Sequence, residues 1–333
     1  MTHSTEVTWT VDDIVVHGTV TVPDGDGPFP AVVLVAGSGP TDRDWCSPLL
    51  PGTNGSGRLF AEAFAAAGIA SLRYDKRVSG PYASQNLPRL IGRLSMQSHL
   101  DELVGAVETL AARADIDTDR IVGMGNSEGA LHVLHHALGD RATRFAGLVL
   151  AAPPGRSIRQ VLMTQLAQQV ATLPDGNRIT AAVKSAMDRF QAGEPMNLDD
   201  LPQGVAMVLG SFENPANLPL ARELWNEDPA ALLRSVRVET LVLIGGRDLQ
   251  IDRHADGEPL QQATEAMDHV SFVFPPNANH VFKEDTRTPE QAMAEPGNGY
   301  NTAGTRLDPE SVDTVTTWLG HLFASDATGP ARP

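Results

Sequence analysis

The chain has 333 residues, 41% hydrophobic and 20% charged, which is enough apolar material for one large α/β domain or two smaller ones. A formal net charge of −16 speaks against nucleic acid or an anionic membrane as a partner, because both would be repelled. The single cysteine, Cys46, rules out an internal disulfide and any cysteine-built metal cluster. Apolar runs such as "AVVLVA" (31–36) are too short to span a bilayer, and "MTHSTEVTW" has neither a basic nor an apolar leader segment. The expectation is a cytoplasmic protein without membrane attachment.

Residues 6–23 alternate apolar and polar, which predicts two antiparallel strands. The continuous apolar run at 31–36, closed by "GSGP", predicts a strand buried on both faces. A helix over 57–67 then leads to a strand at 69–75, a helix over 95–114 to a strand at 120–125, and a helix from 127 to about 138 to a strand at 146–154. Between 155 and 236 only helical patterns occur, and four of the nine methionines fall there: Met163, Met187, Met196 and Met207. Flexible thioethers suit a pocket that adapts to varied apolar groups, or else simply fill the core of that block. Strand–helix alternation resumes with a strand at 239–246, a helix near 257–267, a strand at 270–274 and a helix over 308–323. The pattern predicts an α/β fold with a mostly parallel sheet flanked by helices. Residues 1–154 and 237–324 would form the core domain, 155–236 an inserted helical cap, and 325–333 a disordered tail.

The segment "GMGNSEG" (123–129) admits two readings. As a dinucleotide-binding turn it should follow the first strand of its unit, and the next strand should end in an acidic residue; neither holds. As Gly125-x-Ser127-x-Gly129 it is a strand-to-helix turn that exposes a serine, with small residues letting strand and helix approach. A serine hydroxyl needs a base to take its proton, and that base needs an acidic partner. His280 follows the strand at 270–274 and Asp248 follows the strand at 239–246, so Ser127, Asp248 and His280 occur in the order this architecture requires. Asp252, four residues on, competes with Asp248 but lies further from the strand end. Backbone N–H groups of Ser38, in the turn opened by Gly37, and of Glu128 would form the oxyanion hole.

Five segments carry a family likeness: "GSGPTDRD" (37–44), "LRYDKRV" (72–78), "GNSEGA" (125–130), "GGRDLQI" (245–251) and "NHVF" (279–282). Together they resemble the α/β-hydrolase superfamily, and within it a bacterial group of serine esterases and their peptidase relatives. The likeness spans about residues 15–320 and implies the α/β-hydrolase fold. Three positions depart from the group's pattern: Ala36 and Asn126 stand where histidines are usual, and Val78 interrupts a glycine-bearing turn.

The charged residues Asp42, Arg43, Asp44, Asp75, Lys76 and Arg77 are expected to form an ion network that pins the loops of the site. The Glu128 side chain faces either the pocket or a structural partner such as Arg73. His132 and His136 have the spacing of a zinc pair but lack the accompanying glutamate, so no metal is expected. The expected function is a serine hydrolase that cleaves small to medium soluble esters through an acyl-enzyme, with no cofactor. Peptidase, thioesterase and lactonase activities on the same triad remain open, as does a non-catalytic ligand-binding role. The expected partner is a small-molecule ester, and the oligomeric state, a homodimer included, is left open.

Overall fold

The computed structural model describes residues 2–171 and 173–326. Strands β1 (His3–Val11) and β2 (Ile14–Val22) form a hairpin whose two-residue turn, Asp12–Asp13, has φ of 48° and 67°. Both turn residues thus sit in the left-handed region that a tight, right-twisting hairpin requires. Then come β3 (Phe29–Val35), α1 (Ser56–Ala66), β4 (Ala70–Tyr74), α2 (Ala83–Leu90), α3 (Met96–Ala111) and β5 (Ile116–Asn126). Next are α4 (Glu128–Leu138), β6 (Gly147–Ala151) and five helices among the described residues. Those helices are α5 (Ile158–Val170), α6 (Gly176–Gln191), α7 (Gln203–Glu213), α8 (Leu218–Trp225) and α9 (Pro229–Ser235). The chain closes with β7 (Glu239–Leu243), α10 (Gly257–Ala263), β8 (Val270–Val273), α11 (Pro289–Ala294) and α12 (Pro309–Asp326).

The eight strands form one sheet in the order β1-β2-β4-β3-β5-β6-β7-β8. β1 and β2 run antiparallel, β2 pairs antiparallel with β4, and every pairing from β4 to β8 is parallel. Alternate residues of β3 feed opposite faces of the sheet. Val33 and Val35 pack with Leu103 and Val107 of α3 and Leu134 of α4, whereas Val32 and Leu34 pack with Phe60 and Phe64 of α1 and Leu319 of α12. Burial on both faces is why β3 reads as an unbroken apolar run.

β6 and β7 are neighbours in the sheet, so the chain from α5 to α9 is an excursion from it. α5 to α8 share a core of their own built on Leu166, Val183, Met187, Phe190, Leu209 and Trp225. Leu224 of α8 and Leu233 of α9 instead pack within the sheet's core, the latter beside residues of α4. The expected block 155–236 therefore ends in a helix of the sheet's own layer. α12 runs through Asp326, so its last two residues fall within the tail expected to be disordered, and 327–333 lie outside the described residues. Among the described residues no helix is long and apolar enough to cross a membrane.

Candidate active site

Ser127 sits alone between β5 and α4 with φ 54° and ψ −122°. A non-glycine residue there is strained by about 1–3 kcal/mol, and the surrounding contacts must hold it in place. They do so tightly. A Cβ added at Gly125 would lie 2.2 Å from the Gly129 carbonyl oxygen, and one added at Gly129 would lie 2.5 Å from the Val35 oxygen. The Ser127 N–H donates to the Ala151 carbonyl at the end of β6 (2.8 Å). The two glycines thus let strand, turn and helix close up and lift the serine above the sheet's C-terminal edge.

Asp248 and His280 arrive on the loops after β7 and β8. The Nδ1–H of His280 donates to Asp248 Oδ2 at 2.8 Å, and the Asp248 side chain is fully buried. Backbone N–H groups of Gln250 (2.7 Å) and Ile251 (3.0 Å) occupy the other oxygen, Oδ1, which fixes the carboxylate. Asp252 is not part of this pair: its Oδ1 accepts from the N–H groups of His254 (2.9 Å) and Ala255 (2.7 Å), closing a local turn. Asn126, which gave no signal in the sequence beyond its departure from the family pattern, ties the elbow to the histidine loop. Its Nδ2 donates to the His280 carbonyl at 3.1 Å. The ring of Tyr300 stacks on His280, with centroids 6.4 Å apart, and nothing in the local sequence marks it.

A cavity of about 870 Å³ holds Ser127, His280, Gly37 and Ser38 together. Among the described residues, no hydrogen bond takes up the backbone N–H of Ser38 or of Glu128. A Cβ on Gly37 would come within 3.3 Å of the Ser127 Cβ, so the turn after β3 runs directly against Ser127. Arg156, at the entry to the helical block, is held to the core by a two-pronged pair with Asp256 at 3.0 and 2.8 Å.

The charged residues resolve into separate clusters around these loops. Arg43 pairs with Asp75 (2.7 Å) and Glu6 (2.7 Å), Arg73 with Asp44 (2.6 Å), and Arg77 with the buried Glu102 (2.7 Å). Asp42 accepts from the N–H groups of Asp44 and Cys46, both at 2.9 Å. Buried Lys76 donates to the Gly37 carbonyl at 2.6 Å and lies 3.7 Å from Glu128. The partner of Glu128 is thus Lys76, with His132 on its other side (3.3 Å), and not Arg73. Burial pushes the Glu128 carboxyl upward, but Lys76 and His132 outweigh it and leave it well below the usual range. Burial lowers both His132 and His136 to about 4, so each is neutral near pH 7. His136 packs against Phe145, and among the described residues neither of its ring nitrogens has a hydrogen-bond partner. Among the described residues no group of three or more His, Cys, Asp or Glu side chains is arranged to hold a metal.

Sheet order and the strained strand-to-helix turn at Ser127 are those of the α/β-hydrolase fold. The chain belongs to the Alpha/beta hydrolase family, whose model matches residues 32–294. It is 28% identical over 316 residues to the esterase EstD of Thermotoga maritima. That match takes in 92% of this chain and 66% of EstD, so the chain spans just under two thirds of that relative. The Pyrococcus furiosus esterase Pf2001 superposes with a TM-score of 0.58 at 15% identity, over 96% of this chain and 91% of that one. A proline iminopeptidase from Mycobacterium smegmatis gives 0.55 at 14%, over 97% and 100%. Likeness at these identities is one of fold.

Proposed function

We propose that the protein is a serine hydrolase that cleaves carboxylic esters of small to medium soluble substrates. The observation that carries this reading is the 2.8 Å His280–Asp248 pair opening onto the same cavity as a serine held at φ 54°. Ser127 attacks the ester carbonyl while His280 takes its proton at Nε2. Asp248, fixed by two backbone donors, holds the imidazole tautomer and stabilises the imidazolium. The N–H groups of Ser38 and Glu128 receive the charge that develops on the carbonyl oxygen. His280 then protonates the departing alcohol, and water activated by the same ring releases the acyl group. The likeness to EstD supports ester cleavage over the other acyl transfers this triad performs.

Lys76 has a positioning role in this scheme. A trans peptide carries its C=O and N–H on opposite edges. By holding the Gly37 carbonyl at 2.6 Å, Lys76 turns the Ser38 N–H of the same peptide the other way, toward the cavity. The block 155–236 acts as a cap that shelters the acyl-enzyme from bulk water. Its methionines are not the pocket wall: Met187 and Met196 lie in the block's own core, Met163 packs against it and Met207 is exposed. Kinetics on a series of p-nitrophenyl esters beside an emulsified triglyceride test the reading. Turnover of short and medium chains in solution is expected; a preference for the emulsion with interfacial activation would make the protein a lipase instead.

A further inference from the structure

Helix α5 presents two faces to different surroundings. Leu162, Leu166 and Val170 face the core of the helical block, while Gln165, Gln168 and Gln169, at helical spacing i, i+3 and i+4, line the cavity that holds Ser127 and His280. Gln168 and Gln169 are exposed, and no described group hydrogen-bonds their carboxamides. Gln165 gives one N–H to the Gln250 carbonyl (3.3 Å), and its oxygen has no hydrogen-bond donor among the described residues. Opposite them, the Gln250 carboxamide meets the Tyr300 hydroxyl (3.4 Å). Among the described residues that line this cavity none carries a carboxylate, ammonium or guanidinium, in a chain with 41 acidic and 25 basic residues.

We propose that this glutamine face is the subsite for a polyhydroxylated leaving group, so that the esters cleaved are short acyl esters of sugars or similar polyols. The inference rests on the reading that Ser127 cleaves esters, and it names the alcohol. A carboxamide presents both donors and an acceptor, as a hydroxyl does, and carries no charge. Neighbours on one helix face lie about 5–6 Å apart, so the three can address different hydroxyls of one ring. A cavity of about 870 Å³ has room for a sugar ring beside a short acyl group. A long apolar alcohol would strip water from these carboxamides and return no hydrogen bond, and an anionic one would meet no cation. In the reaction the Ser127 oxygen bonds the acyl carbon and the carbon–oxygen bond to the sugar breaks. The sugar oxygen leaves with the proton from His280, and one water completes the hydrolysis.

The test compares a methyl glucoside acetylated on its primary hydroxyl with propyl acetate, two esters of alkyl alcohols that differ in hydroxyl content. The wild-type enzyme is expected to favour the glucoside in kcat/KM. Gln168→Leu/Gln169→Leu, an exposed pair in a helix that leucine also favours, is expected to lower that ratio roughly tenfold. Propyl acetate cleaved as well as the glucoside, or a ratio unchanged in the double variant, overturns the subsite while leaving ester cleavage standing. Failure to cleave all three of the glucoside ester, propyl acetate and p-nitrophenyl acetate would bring down the reading on which the subsite rests.

Discussion

Lys76→Met removes one hydrogen bond and one charge while keeping a stem of similar length. In the wild-type chain the ammonium is almost fully buried and makes a 2.6 Å bond to the Gly37 carbonyl. Without it the Gly37–Ser38 peptide is free to rotate, and the Ser38 N–H no longer points steadily at the developing oxyanion. Loss of one oxyanion donor costs about a hundredfold to a thousandfold in kcat. KM should change little, because that donor acts mainly on the transition state. The substitution also strands the Glu128 carboxylate, and breaking a buried pair costs about 3–5 kcal/mol. The pair is 3.7 Å apart and His132 remains as a second partner, so the lower end applies. The two effects separate in Lys76→Met/Glu128→Gln. Neutralising the stranded carboxylate should restore most of the stability in urea unfolding, whereas kcat on p-nitrophenyl acetate should stay down. A folded double variant with wild-type kcat would refute the link from Lys76 to the Ser38 N–H.

Asp248→Asn should lower kcat/KM by about 10⁴, as loss of the correct histidine tautomer does elsewhere, while Asp252→Asn should cost at most a few-fold. The reverse order in steady-state kinetics would move the acid to 252. His136 is held neutral by burial, with a smaller push from Arg141, and its value falls from 6.5 to about 4. The unfolded chain takes up that proton first as pH drops, so this stabilisation is complete above about pH 6.5 and is lost on the way down to about 4. The difference of about 2.5 pH units corresponds to about 3 kcal/mol. Unfolding of His136→Phe followed in urea between pH 4 and 7 should show a shallower loss of stability than the wild type, and an equal slope would contradict the burial argument.

Most of the scaffold could be read from the sequence because the fold imposes it residue by residue. β3 is buried on both faces and so is wholly apolar, and the elbow needs glycine at 125 and 129 because any Cβ there meets backbone. Two short helices escaped notice for the opposite reason. α2 carries Pro88 in its interior, which reads as a helix breaker, and α11 is only six residues long and buries only Ala292, too short to show an apolar period. The structural partner of Glu128 is Lys76 and not Arg73 for a geometric reason. Arg73 lies within β4 and turns toward Thr21 and Asp44, whereas Lys76 lies three positions on, past the strand end, and reaches the turn after β3. The methionines and glutamines of the helical block show a further limit. The sequence places these residues in a helical block, but which helix face meets a cavity depends on packing between segments far apart in the chain.

The central claim is that Ser127 is a nucleophile activated by His280. Labelling the folded protein with a fluorophosphonate and mapping the adduct by mass spectrometry tests it most directly, since only an activated serine reacts quickly. Stoichiometric modification of Ser127 is the predicted result, lost on heat denaturation and in His280→Ala. A folded protein that stays unlabelled, or that carries the adduct on another residue, would contradict the account and leave a ligand-binding protein on a hydrolase fold.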